Sequence, residues 1–211
     1  MARDQISTNG GGNLQAIPYA YSPTKLGDPA PLGLFSFATT TFVLSLINIG
    51  FGGVHEANLV VGMSFGFGAV GQLLAGIFEM VLGNTFAATA FCGYAGFWLS
   101  FAIILTPGFQ IVTQLEGQSQ ITFLYSMGFF LLAWAIFTTL CLLCTFKSTI
   151  TFSLMFLTLD ITFIFLAAGY LATDGTGPVA GCVKAGGLFG LASSSLGYYI
   201  AFAGMADKEN T

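Results

Sequence analysis

The chain has 211 residues, of which 55% are hydrophobic and 7% charged, and its net charge is −4. Soluble domains carry about 25% charged residues, and a water-facing globule of this length cannot bury so much apolar surface. The balance excludes an ordinary soluble domain, offers no basic cluster for nucleic acid, and points to an all-α integral membrane protein whose first partner is the lipid bilayer.

Residues 1–26 are polar and rich in Gly, Ser, Thr and Asn, and lack the short apolar core of a cleavable signal peptide. They read as a flexible tail. The stretch Asp28-Pro29-Ala30-Pro31-Leu32-Gly33-Leu34 ends it. Asp28 is a suitable helix N-cap, and Pro29 and Pro31 fall in a first turn whose N–H groups have no intrahelical partner. Because Pro31 disfavours a helical Ala30, Pro31 is a second candidate start.

Apolar runs follow at Pro31–Gly53, Asn58–Met80, Thr85–Pro107, Ile121–Phe146, Thr149–Ala172 and Val179–Met205. Each is long enough to span a bilayer, which takes about 20 residues. Residues 27–205 therefore read as one domain of six transmembrane helices, with a short tail at 206–211. Gly108–Gln120 is the longest connection. Arg3, Lys25, Lys147 and Lys208 fall on the side shared by both termini, and Lys184 on the other. That asymmetry puts both termini in the cytoplasm.

Polar residues inside such runs need a reason. In the first run Thr41, Ser45 and Asn48 lie at i, i+4 and i+7, on one helix face. In the second, Gln72 and Glu79 roughly share a face, and Gly62-x-x-x-Gly66 suits close helix contact. Glu79 reads either as part of a polar seam or as a carboxylate bonded to the nearby turn. Asn84 and Thr85 suit the cap of the third helix. Asp160 is a lone carboxylate near the middle of the fifth run, where burial favours its protonated form. It is a candidate for a proton path, or for a bond to Thr158, Thr162 or another chain. Ser193, Ser194 and Ser195 add hydroxyls to the sixth run.

Catalytic chemistry finds no footing. Cys141 and Cys144 form C-x-x-C without a second pair or a nearby His, and His55, the one histidine, lies between two runs. Neither a Ser-His-Asp set nor a phosphate loop is present. The reading is a non-enzyme without cofactor or metal, and conduction of a small solute fits better.

The residues carry a resemblance. Asp28-Pro29-Ala30-Pro31-Leu32-Gly33-Leu34 and the run GQLLAGIFEMVLGNTFAATAF from Gly71 to Phe91, followed by Tyr94 and Phe97-Trp98, resemble the acetate uptake transporter family. This family is also called the succinate–acetate permeases, and its fungal members were named ammonia transport outward proteins. Ala201-Phe202-Ala203-Gly204 is a weaker match to a fungal tail motif. The resemblance covers about residues 27–205 and implies a homo-hexameric ring in the plasma membrane. Each protomer would carry its own pathway for acetate and related carboxylates, linked to protons.

It further implies a hydrophobic constriction at Phe37, Tyr94 and Leu159, which stand eight residues past Pro29, ten past Asn84 and twelve past Lys147. Matching polar wall positions are Asn48, Gln72, Glu79 and Asn84. Thr41 and Ser195 join them as hydroxyls facing the pathway, Tyr94 offers a hydroxyl at the narrowest point, and Asp160 is the candidate proton-linked group. Two departures from the family pattern are Asp28 for the usual Asn, and Ile200 where fungal members often carry Asn. Ammonium export is the alternative reading, and a non-transporting scaffold or sensor is another.

Overall fold

The computed structural model describes residues 26–206. Seven α-helices follow in order: α1 Ala30–Ile49, α2 Asn58–Val81, α3 Thr85–Leu105, the short α4 Ile111–Gln118, α5 Gln120–Thr145, α6 Ile150–Leu171 and α7 Ala180–Met205. All but α4 are long and apolar enough to cross a membrane. In hydrocarbon every backbone N–H and C=O needs an internal partner, and a helix supplies it within one segment.

Polar side chains set the helix starts. Asn84 Oδ1 accepts from the Ala87 N–H at 3.2 Å, Ser119 Oγ from Thr122 at 3.2 Å and Thr149 Oγ1 from Phe152 at 3.3 Å. α1 begins one residue from either expected start. Pro29 occupies the cap position, where its carbonyl accepts from the Gly33 N–H. Asp28 Oδ1 takes the Ala30 N–H at 2.9 Å from just outside the helix. The expected long connection at 108–120 contains α4, because Ile111, Val112 and Leu115 give it a half-buried apolar stripe that packs on α5 and α3.

α2 is interrupted by a π-helical stretch, Ser64–Ala69. The wide turn coincides with Gly66 and Gly68, where backbone distortion meets least resistance. Gly68 also lets α2 approach α3, since a Cβ there would lie 2.8 Å from the Trp98 ring.

α1 packs against α7, α2 and α3; α7 packs on α6, and α6 on α5. Small residues make the α1–α7 contact close. A Cβ at Gly187 would lie 2.9 Å from the Ser45 carbonyl oxygen, and one at Gly197 would lie 3.2 Å from the Phe37 ring. By contrast, nothing lies within 4 Å of a Cβ at Gly62 or Gly66, and both face outward. The Gly62-x-x-x-Gly66 contact expected from sequence has no partner among the described residues.

Aromatic rings fill the interior. Phe97 sits 5.0–5.8 Å from Trp98, Phe101, Phe130, Trp134 and Phe163. Outside, Leu73, Leu74, Ile77 and Phe78 on α2 and Ile136, Leu140 and Leu143 on α5 are exposed, a surface suited to lipid.

Six crossings put both ends of residues 26–206 on one face, here the terminal face, together with the turns at 82–84 and 146–149. Lys147 lies in the second of these turns, and Lys184 near the start of α7 at the opposite face. Arg3, Lys25 and Lys208, and the tails assigned to 1–26 and 206–211 except for Leu26 and Ala206, lie outside the described residues. In the α6–α7 loop Asp174 accepts from the Thr176 hydroxyl and N–H, which holds its carboxyl below the usual range.

The contrast between inward and outward glycines gives a test. Gly187→Val should overpack the α1–α7 seam and destabilise the protein by about 1–3 kcal/mol, whereas Gly62→Ala should change stability by less than about 0.5 kcal/mol. Thermal unfolding in detergent reads both, and equal losses would contradict the packing described.

Candidate functional site

Three cavities follow one another through the helix bundle. The one nearest the terminal face has a volume of about 30 Å³ and is lined by Leu34, Gln72, Phe86, Phe91, Phe152 and Phe156, with Phe37, Tyr94 and Leu159. The middle one, also about 30 Å³, is lined by Thr41, Ser45, Asn48, Phe163 and Leu166, with the same Phe37, Tyr94 and Leu159. The third, about 250 Å³, is lined by Asn48, His55, Phe97, Leu166, Tyr170 and Pro178 among others. Each of the small cavities has room for a water molecule or two.

Phe37, Tyr94 and Leu159 are the residues common to the first two cavities. They form the septum between them. All three are buried, at 5%, 5% and 3% exposure. They come from α1, α3 and α6, so no two are near in sequence. Gly197 gives the Phe37 ring its space, and the Phe37 and Tyr94 ring centres stand 6.3 Å apart.

The Tyr94 hydroxyl does not serve the septum as expected. It donates to Thr138 Oγ1 at 3.0 Å, across to α5. Thr138 spends its one proton on the Trp134 carbonyl at 2.7 Å, so the Tyr94 oxygen must be the donor of this pair. Sequence could not show this, because a phenol at a constriction and a phenol tied to a neighbouring helix read alike. What remains at the septum is two rings and a leucine.

Beside the septum stand two polar groups without partners. Many helical hydroxyls here bond the carbonyl one turn back, as Thr40 does to Ser36 at 2.9 Å and Thr162 to Thr158 at 2.8 Å. Thr41 Oγ1 is buried and has no partner among the described residues. Gln72 is fully buried; its Nε2 donates to the Gly68 carbonyl at 3.0 Å, and its Oε1 has no partner among the described residues. Thr41 lines the middle cavity and Gln72 the terminal one. Asn48, half-buried, lines the middle and the third.

Other expected wall residues stand elsewhere. Glu79 is buried at the end of α2 but lines none of the three cavities; its carbonyl accepts from the Asn84 N–H at 2.9 Å in the turn. Asn84 is exposed and caps α3. Ser195 is corrected: it faces the exposed side of α7 and donates to the Leu191 carbonyl of its own helix. Consecutive helical residues point about 100° apart, so three serines in a row cannot share a face. Ser193 and Ser194 are the buried pair: Ser193 donates to the Met155 carbonyl of α6 at 2.9 Å, and Ser194 to the Leu191 carbonyl of its own helix.

Asp160 adjoins Leu159 in sequence yet turns to α5. Thr139 Oγ1 lies 2.9 and 3.0 Å from its carboxyl oxygens, and the same hydroxyl reaches the Ala135 carbonyl at 3.0 Å. The expected partners Thr158 and Thr162 bond their own helix instead. Asp160 lines none of the three cavities.

His55 was legible only as a loop residue. The left-handed Gly50, at φ 72°, turns the chain after α1 so that the imidazole packs where a Cβ on Gly50 would be 2.5 Å away. This brings His55 to the wall of the third cavity. The run Gly50, Gly52, Gly53 was the available signal. No Lys, Arg, Asp or Glu lines the three cavities. An unpaired ion at the septum would cost several kcal/mol.

The Tyr94–Thr138 pair makes an asymmetric prediction. Tyr94→Phe leaves Thr138 bonded to Trp134 and should cost about 1 kcal/mol. Thr138→Val strands the phenol in an apolar interior and should cost about 1–3 kcal/mol. Thermal unfolding of the two variants in detergent checks the order.

The comparisons with known proteins agree with this architecture. Acetate permease A of Emericella nidulans is 48% identical over 206 residues, 95% of this chain and 69% of that protein. Ammonia transport outward protein 2 of Saccharomyces cerevisiae is 40% identical, over 99% of this chain and 72% of that one. The succinate-acetate/proton symporter SatP of Escherichia coli is 31% identical over 88% of this chain and 92% of SatP. A solved structure of the bacterial acetate channel SatP superposes with a TM-score of 0.74, at 31% identity, over 84% of this chain and 91% of that one. The chain spans about two thirds of the length of the fungal relatives it matches. A family model described as GPR1/FUN34/yaaH matches residues 10–211. The chain belongs to the GPR1/FUN34/yaaH family.

Proposed function

We propose that this protein carries acetate and related short carboxylates across the plasma membrane, linked to protons, along the cavities inside each protomer. The observation that carries the reading is the succession of three cavities, the first two divided by Phe37, Tyr94 and Leu159. Relatives named acetate permease and succinate-acetate/proton symporter support the solute class.

The chemistry suits a small amphiphile. The methyl of acetate matches rings and leucine, whereas its carboxyl needs hydrogen-bond partners wherever water is stripped away. Asn48 and Thr41 supply them on one side of the septum and Gln72 on the other, without a fixed cation to hold the solute back. Phe37, Tyr94 and Leu159 form the selectivity constriction, which admits only small, largely dehydrated solutes. In this proposal the protomers assemble as a homo-hexamer with both termini in the cytoplasm, as the sequence charge asymmetry supports, and each protomer conducts by itself. The chain acts as a transporter and performs no catalysis.

Ammonium export is a second reading, favoured by the relative named ammonia transport outward protein 2. A cation would seek carboxylates or an open aromatic cage, and neither Glu79 nor Asp160 lines the cavities. Carboxylate transport is therefore the better supported of the two.

Proteoliposomes containing the protein should take up labelled acetate faster than protein-free vesicles, with propionate competing and ammonium not. Equal uptake in both preparations would count decisively against the proposal, and competition by ammonium alone would favour the second reading. Leu159→Ala removes about three carbons' worth of side chain from the septum, and should raise the uptake of butyrate relative to acetate several-fold. Phe37→Ala should do the same. An unchanged butyrate-to-acetate ratio in both would remove these residues from the selectivity role.

A further inference from the structure

We propose that the species crossing the septum is the undissociated carboxylic acid, and that Gln72 Oε1 accepts its O–H on the terminal side of Phe37, Tyr94 and Leu159. This rests on the transport reading above and specifies the chemical form transported.

The orientation of Gln72 carries the argument. Its side chain is wholly buried, and Nε2 donates to the Gly68 carbonyl at 3.0 Å. Turning the amide over would set Oε1 against that carbonyl oxygen, acceptor against acceptor. Oε1 is thus the free end, and it has no donor among the described residues. An oxygen acceptor welcomes an O–H and repels a carboxylate oxygen. Apart from the second Nε2 proton of Gln72 itself, nothing in this cavity offsets that repulsion: its wall is otherwise Leu, Phe, Ala, Met and Tyr, and the Tyr94 proton is committed to Thr138.

The other side of the septum has matching chemistry. The Thr41 hydroxyl has no partner among the described residues, so it is available to donate to the acid's carbonyl oxygen or to accept its O–H. A buried polar group left unpaired is costly, and of the three without a partner among the described residues, Thr41, Ser64 and Gln72, Thr41 and Gln72 flank the same septum. A neutral acid satisfies both in turn as it passes. An anion leaves Gln72 Oε1 without a donor.

The reaction at each mouth is a simple proton exchange. On the entry side the carboxylate takes a proton from hydronium and becomes the acid, leaving water. On the exit side the acid gives its proton to water. One proton moves with each carboxylate, no net charge crosses, and no protein group need titrate. The rate then follows the concentration of the neutral acid, which falls about tenfold for each pH unit above its pKa.

The test uses the full chain in proteoliposomes, with protein-free vesicles as background and three probes: acetate, acetamide and methanesulfonate. Acetamide is neutral and carries N–H donors; methanesulfonate is of similar size and ionised throughout. Protein-dependent acetate uptake should be insensitive to an imposed membrane potential, acetamide should enter and methanesulfonate should not. Gln72→Leu should lower acetate and acetamide flux about fivefold to tenfold, the loss of one hydrogen bond. Gln72→Met, closer in shape, provides the same measurement if the leucine variant does not fold. Entry of methanesulfonate at rates near acetate, or acetate flux driven by the potential, overturns the neutral-acid proposal while leaving transport itself intact. Exclusion of acetamide, or undiminished flux in both Gln72 variants, overturns the role of Gln72. Absence of protein-dependent flux for every probe would instead overturn the transport reading.

Discussion

In a hydrocarbon solvent an unsatisfied polar atom has nowhere to turn, and that constraint organises this protein. It forces the backbone into helices. It also sends many helical hydroxyls back to the carbonyl of the preceding turn, as with Ser36, Thr40, Thr89 and Thr158. Against that background Thr41 and Gln72 stand out, because they are buried, unpaired and placed on the two sides of one apolar septum. An arrangement that costs stability in the resting protein has its natural explanation in a solute that supplies the missing partners.

The septum depends on α1. This helix carries Phe37 and Thr41 one turn apart and touches α2, α3 and α7. Its seam with α7 is tight because glycines replace side chains where the helices meet, at Gly187 and Gly197. Larger residues there would displace the Phe37 ring or push the helices apart. The Tyr94–Thr138–Trp134 chain and the Thr139–Asp160 contact tie α3 and α6 to α5. The three septum side chains are thus each held from behind by a different device: a glycine, a committed hydroxyl, and a carboxyl beside Leu159 that is anchored away from the cavities.

Much of this was legible in the residues. Run length and hydropathy gave the six spans to within a few positions, because hydrocarbon thickness fixes helix length. Asn84, Ser119 and Thr149 mark helix starts by a local rule that needs no tertiary information. Direction was less legible. Ser195 and Ser193 differ only in which way a helix is rotated, and Gly62 and Gly187 differ only in whether another helix lies opposite. Helix α4 was hidden in a connection because its apolar stripe is only a few residues long.

What the amino-acid order decided alone was the solvent, the number of crossings and the points where helices begin, since these follow from local composition and backbone chemistry. The tertiary structure decided which polar atoms find partners and which are left open. Phe37, Tyr94 and Leu159 lie on three separate helices, and a proton shared between Tyr94 and Thr138 spans 44 positions in the chain. Such pairings are set by how helices rotate and approach one another, and that depends on side-chain volumes summed over the whole bundle rather than on any one stretch.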